Sequence, residues 1–282
     1  MAPKSNTNST NNITRKGLSK KESEIITDLS EKHFKIITLA DIQRESSATY
    51  GTSKSIASKL VRKNWLTRLK RGTYLINPLS AGKEPAYTEH EFIIASSLVS
   101  PYYIGYMSAL NYYGFTEQTP FTIFMASTIR KGEMKIHGVP YRVIQMSEKN
   151  FFGTTTIAIE NTKVNISTPA KTIADCLDKP QYAGGILEIS KALDSAKDRI
   201  DMEDVLAALI KMRSGAGIKR FYYLIDLLSV SINIKTRKLL EINITSGFSK
   251  LDPLASKKGT FSRKYRLILN IPEKQLVGDG ET

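Results

Sequence analysis

Between residues 19 and 76, apolar positions recur at helical spacing in three short runs and then change to the period of strands. Ser19-Lys20-Lys21-Glu22 opens the first run, and Ile25, Ile26, Leu29 and Phe34 follow it. That quartet reads as a capping box: the serine hydroxyl accepts from an orphan amide, and the glutamate reaches back to the cap amide. Thr38, with Asp41 three residues on, opens a second helix whose apolar side is Leu39, Ala40 and Ile42. A third helix is predicted over 52–64, just after Gly51, with Ile56, Ala57, Leu60 and Val61 as its apolar stripe. Ser55, Ser58, Lys59 and Arg62 fall on the opposite side, with Lys54 and Lys63 at its flanks. Residues 65–76 then read as two short strands around a Lys70-Arg71-Gly72 turn, where glycine is free to take positive φ.

Past Asn77-Pro78 and Ala81-Gly82 the pattern changes. Helices are predicted over 86–99, with Phe92, Ile93 and Leu98 inward, and over 102–113, ending at Gly114. Strand signals follow over 121–127, 135–137, 141–146, 154–159 and 164–167, with Gly138-Val139-Pro140 as a turn. Thr168-Pro169 starts a helix through Ile173, Ala174 and Leu177, with threonine as cap and proline in the first turn. Further helices are expected over 182–197, 201–213, 216–229 and 235–243, and a last strand at Leu267-Ile268-Leu269. The predicted fold class is α/β (α+β). A basic, Asn/Ser/Thr-rich tail at 1–18 precedes a winged helix-turn-helix at 19–82 and a mixed α/β domain at 83–282.

Composition narrows the choice of function. The chain has 282 residues, 41% hydrophobic and 24% charged, which excludes wholesale disorder and is ample for a core. A single cysteine excludes an internal disulfide framework and Cys-based zinc sites. No apolar run approaches the roughly 18 residues of a membrane span, and the polar start MAPKSNTNST lacks a secretory h-region. A cytoplasmic protein without a membrane partner is expected.

The net charge of +14 favours an anionic partner. Its distribution says more. Residues 1–83 hold 16 Lys and Arg against 6 Asp and Glu, while 84–282 hold 25 against 21. Between Glu45 and Glu84 there is no acid, and eight cations lie in that interval. Three short helices before a basic hairpin is the layout of a winged helix, whose third helix enters the major groove of double-stranded DNA while the hairpin follows the backbone or the adjacent minor groove. Lys54, Ser55, Ser58 and Arg62 are placed to reach base edges; Lys59, Lys63, Arg68, Lys70 and Arg71 suit phosphates. The competing reading is a solvated basic surface.

Catalytic constellations are sparse. His33, His90 and His137 pair with no cysteine or carboxylate at ligand spacing, and Cys176 has no histidine near it in a known arrangement. No phosphate-binding glycine loop occurs, and no cofactor is expected. The tyrosines of 102–113 read as core rather than as a base-stacking platform. Glu133 with Lys135, and Glu117 upstream, sketch a metal-dependent nuclease, but two ligands do not make a magnesium site. Asp194, Asp198, Asp201, Glu203 and Asp204 sit at a helix junction, where acids favour the dipole.

The order of these features resembles the AbiEi antitoxins of type IV toxin–antitoxin and abortive-infection operons, relatives of regulators of viral defence. The resemblance rests on Ile37-Thr38-Leu39-Ala40-Asp41, on Leu60-Val61-Arg62-Lys63-Asn64-Trp65-Leu66 and on Arg68-Leu69-Lys70-Arg71-Gly72-Thr73-Tyr74. It continues through Tyr103-Ile104-Gly105-Tyr106-Met107-Ser108-Ala109-Leu110, Ser167-Thr168-Pro169-Ala170-Lys171-Thr172-Ile173-Ala174-Asp175 and Lys258-Gly259-Thr260-Phe261-Ser262-Arg263-Lys264-Tyr265-Arg266-Leu267. It spans roughly 22–271, and the order of the segments carries it. The resemblance implies a repressor that binds inverted repeats in its own operator, a C-terminal domain that counters a nucleotidyltransferase-like toxin, and no catalytic residues. A stand-alone regulator without a toxin has the same sequence features.

Overall fold

The structure is a computed structural model and describes residues 15–77 and 89–277. The tail at 1–14 and the predicted boundary near residue 82 lie outside the described residues. By compactness the chain divides into Met1–Leu98 and Val99–Thr282.

The first unit runs α1 (Lys20–Glu31), β1 (Ile36–Thr38), α2 (Leu39–Ser46), α3 (Tyr50–Arg62), β2 (Leu66–Lys70), β3 (Thr73–Ile76) and α4 (Glu91–Leu98). The helix starts follow local chemistry. Ser19 and Glu22 form the expected capping box, and so do Thr38 and Asp41. α1 stops at Glu31, so Phe34 lies beyond it and is exposed, and His33 adopts positive φ in the turn. Ala40 is likewise exposed, leaving Leu39 and Ile42 as the buried side of α2. β1, β3 and β2 form a three-stranded antiparallel sheet in that order, with Ile36 opposite Leu75 and Leu66 opposite Ile76. Ile25, Leu29, Ile37, Ile42, Ile56 and Leu60 share one core under it. This is a winged helix-turn-helix. α4, expected to belong with the second part, falls in this unit, where Lys35 pairs with Glu89 at 2.8 Å just before it.

Arg15 to Leu18 are not tail. Lys16 N–H donates to Lys63 O at 3.2 Å, the Trp65 indole donates to Lys16 O at 2.9 Å, and the Arg15 guanidinium lies 4.6 Å from the Trp65 ring centroid. This strap ties the entry of α1 to the exit of α3.

The second unit runs β4 (Tyr103–Ile104), α5 (Tyr106–Tyr112), β5 (Ile123–Ser127), β6 (Met134–Ile136), β7 (Val139–Gln145), β8 (Thr154–Ile159), β9 (Thr162–Ser167), α6 (Pro169–Asp178), α7 (Gly185–Ala196), α8 (Met202–Lys211), α9 (Gly215–Leu227) and α10 (Ile234–Ile242). It closes with β10 (Ser249–Lys250), β11 (Thr260–Ser262), β12 (Leu267–Leu269) and α11 (Glu273–Leu276). Six strands form a mixed sheet in the order β6-β7-β5-β4-β9-β8, and β10-β12-β11 form a second, smaller one. The predicted helix over 102–113 is wrong at its start: Tyr103 and Ile104 are a central strand, and Gly105, extended at φ −145°, caps α5. Of the tyrosines there, Tyr102, Tyr103 and Tyr106 are buried and serve the core, whereas Tyr112 is exposed. One apolar cluster joins the large sheet to the helices through Ala126, Ile144, Ile173, Leu193, Leu209 and Phe221.

Inside it, Tyr103 donates to Asp175 at 2.8 Å, and Lys171, one helical turn before Asp175, pairs with the same carboxylate. All three side chains are buried. Burial pushes the Asp175 carboxyl above its usual value, opposed by the Lys171 ammonium and the Tyr103 hydroxyl. Removing one partner of such a pair strands a charge in a low dielectric, which makes it a fixed structural element.

Candidate nucleic-acid interface

The turn between α2 and α3 is built by two backbone choices. Ser47 takes the left-handed conformation at φ 49° and ends α2. Thr49 then caps α3, its hydroxyl accepting from Thr52 N–H at 3.3 Å. α3 therefore starts at Tyr50, two residues before the predicted start, and Gly51 lies inside its first turn. A threonine three residues before another small polar residue was the available cap signal; the glycine obscured it.

Ser53, Ile56, Ala57 and Leu60 are the buried face of α3. Val61 is only half-buried; Ser53 takes its place in the core by donating to Thr49 O at 3.0 Å. A buried serine is tolerated because its hydroxyl closes on its own helix.

On the outer face, Gly51, Ser55, Ser58 and Arg62 succeed one another at the i, i+4, i+7, i+11 spacing of a single side, and all are exposed. Lys54 flanks this row on one side and Lys59 on the other. Small residues along the middle leave the helix backbone close to whatever docks there. Tyr50, 60% exposed at the first turn, adds an aromatic ring that the sequence reading missed. The first turn of α3 holds no acid to offset the helix dipole.

The wing follows. In β2–β3, Arg68 pairs with Tyr74 and Lys70 with Thr73, with a register irregularity between them. The irregularity turns Leu69 inward while leaving Arg68 and Lys70 exposed on either side of it. Gly72 at φ +73° makes the tip, and Arg71 beside it is exposed. Asn77 fastens the base: its side-chain amide donates to Asn64 O at 3.0 Å and its oxygen accepts from Thr67 at 2.9 Å.

Of the nine expected DNA contacts, eight are exposed on α3 or the wing: Lys54, Ser55, Ser58, Lys59, Arg62, Arg68, Lys70 and Arg71. Lys63 differs. It is the C-cap residue of α3, only half-exposed, and its ammonium lies 2.6 Å from Glu22 of α1. Burial pushes the Glu22 carboxyl up, but hydrogen bonds from Lys63 and Ser19 outweigh this and hold it below the usual carboxylate range. The acids nearest the helix-turn-helix are also neutralised: Asp41 pairs with Arg44 at 2.7 Å, and Glu45 with Lys32 at 2.6 Å. The field over the outer face of α3 is thus set by its cations.

Among the described residues no three His, Cys, Asp or Glu side chains stand close enough to hold a metal ion, Glu117 and Glu133 included. Asp201 caps α8 by accepting from Glu203 N–H at 2.7 Å, and Asp194 pairs with Lys197. Cys176 is buried, and burial pushes its thiol well above its usual value, away from thiolate chemistry. Among the described residues no helix is long and apolar enough to cross a membrane.

A solved structure with a similar fold is the RV2827C protein from Mycobacterium tuberculosis, at TM-score 0.65 and 15% identity, covering 90% of this chain and 92% of that one. A comparison with curated proteins finds no match. Residues 24–77 match the family described as "Transcriptional regulator, AbiEi antitoxin", and residues 103–227 match "AbiEi antitoxin C-terminal domain". With its winged helix matched by the first and its mixed domain by the second, in that order, the chain belongs to the AbiEi family of antitoxins.

Proposed function

We propose that this antitoxin binds inverted repeats in its own operator through α3 and the wing, represses its operon, and counters a nucleotidyltransferase-like toxin through its second unit. The observation that carries the DNA-binding part is the outer face of α3, where Ser55, Ser58 and Arg62 lie in one row between Lys54 and Lys59. Arg62 and Lys54 would reach guanine edges while the serines permit close approach. Lys59, Arg68, Lys70 and Arg71 would hold phosphates and fix register without reading sequence. The family assignment of residues 103–227 supports the toxin-opposing part. No catalytic role is assigned to any residue, and localisation in the cytoplasm follows from an operator as target.

The test is a titration of wild type, Arg62→Ala and Arg71→Ala against upstream duplex DNA and a scrambled duplex at several salt concentrations. Arg71→Ala should weaken both and make the salt slope shallower by about one unit. Arg62→Ala should cost about 1–3 kcal/mol on the operator and little on the scrambled duplex. Wild-type behaviour of both variants at every salt would return the basic face to solvated surface. For the second part, the full chain is co-expressed with a nucleotidyltransferase-like toxin encoded in the same operon, and continued growth arrest would defeat the toxin-opposing part of the proposal.

A further inference from the structure

A second acid-free basic hairpin lies in the C-terminal unit, away from the winged helix in sequence. Between Asp252 and Glu273 there is no acidic residue, while Lys257, Lys258, Arg263, Lys264 and Arg266 fall in that interval. β11 and β12 pair antiparallel around it, Phe261 opposite Ile268. The loop leading in is clamped: Asn270 donates to Asp252 O at 2.8 Å and to Ser256 O at 2.7 Å, and accepts from Asp252 N–H at 3.0 Å. Gly259 is so close to the Leu269 carbonyl that a Cβ would collide with it, so the strand entry is fixed by the absence of a side chain.

On this frame two phenylalanines face water. Phe261 is 61% exposed and Phe248, just before β10, is 40% exposed; their rings meet edge to face at 5.1 Å. The Arg266 guanidinium lies 5.6 Å from the Phe248 ring centroid, extending the same surface with a planar cation. The nearby carboxylates are occupied. Asp226 takes Arg237 at 2.9 Å, Lys264 at 2.7 Å and the Tyr265 hydroxyl at 2.9 Å, and Glu241 accepts from Tyr222 at 3.3 Å. Lys257, Lys258 and Arg263 are left exposed.

We propose that this Phe248–Phe261–Arg266 surface binds single-stranded nucleic acid, stacking unpaired bases on the rings while Lys257, Lys258 and Arg263 hold phosphates. An apolar protein partner would explain the rings but not the run of exposed cations around them. A duplex would use the cations but leave the rings without bases to stack on, because paired bases present only their edges. Exposed aromatics interleaved with cations are what an unpaired strand requires.

The test uses the full chain and three fluorescent probes: a 12-nucleotide oligo(U), a 12-nucleotide oligo(dT) and the upstream duplex. Phe261→Ala and Phe248→Ala should each weaken the single-stranded probes by about tenfold and leave the duplex unchanged. A Lys257→Glu/Lys258→Glu pair, on an exposed loop where folding is not at stake, should also weaken them and make the salt dependence shallower, since fewer phosphates are neutralised. Tighter binding of oligo(U) than oligo(dT) assigns the site to RNA, and equal binding assigns it to either sugar. Single-strand binding that survives all of these changes, or that disappears instead in Arg62→Ala, overturns the proposal. So does a wild-type chain that ignores both single strands while it binds duplex, an outcome that leaves the α3 reading intact.

Discussion

The Lys63 ammonium at the end of α3 sits 2.6 Å from the Glu22 carboxylate at the start of α1. Glu22 simultaneously accepts from Ser19 N–H at 2.7 Å, so one carboxylate closes a capping box and anchors the recognition helix. Lys63→Ala is therefore expected to lower stability by about 1–2 kcal/mol, since it leaves a largely buried carboxylate with one partner fewer. The slope of DNA affinity against salt should stay where it is in wild type. Thermal melts and a salt titration on the same variant separate these outcomes.

The same pair predicts a pH dependence. Glu22 is held below the ordinary carboxylate value in the folded chain. Its contribution is thus complete above about pH 4.3, the unfolded value, and is lost as pH falls through the lower folded value. Glu22→Gln should flatten that part of the acid limb. An acid limb identical to wild type in urea melts between pH 3 and pH 6 would mean that the pair adds no stability.

Tyr50→Ala should weaken operator binding by about 1–2 kcal/mol, the size of a lost base or phosphate contact in a recognition element. Because the ring is 60% exposed, the melting temperature should not change. Equal affinity in wild type and variant would place the ring outside the interface.

Asp175→Asn should destabilise the second unit by about 3–5 kcal/mol, because it leaves the Lys171 ammonium buried without its counter-charge. The double variant Lys171→Met/Asp175→Leu should recover most of that loss, as apolar replacements of buried pairs commonly do. Calorimetry of both variants, with a double-variant melt no better than that of Asp175→Asn, would assign the cost to packing around Tyr103.

The proposed toxin-opposing role should reside in residues 99–282 without the winged helix. This stretch holds its own core, from Tyr103 to Leu276, and begins where the compact unit begins. Co-expression of that fragment with a nucleotidyltransferase-like toxin from the same operon checks this. A soluble, folded fragment that fails to restore growth would show that DNA binding and toxin opposition are not separable along this line.

How far the chain can be read depends on the range of the forces involved. The capping boxes at Ser19 and Thr38 were legible because every participant lies within four residues. The exposed row on α3 was legible because its periodicity repeats over nearly the whole helix. Tyr103-Ile104 was not. A strand buried on both sides has no alternation to display, and its partners are Met125, Ala126 and Ile166, distant in sequence. The pairing of Lys63 with Glu22 was not legible either, because its two members stand 41 positions apart. The aromatic ring at Tyr50 was overlooked because Gly51 reads as a break, whereas Thr49 supplies the cap that carries the helix through it.

The strap over Trp65 sets where anything joined to the N-terminus is tethered. The chain reaches Arg15 beside Trp65, and Lys16 lines a cleft with Lys59, Arg62 and Lys63. An acidic tag or fusion at that end becomes an intramolecular competitor for these cations, at an effective concentration on the order of millimolar. Preparations carrying such an extension should bind operator less well than the same protein tagged at the C-terminus, and proteolytic removal of the extension should restore the affinity.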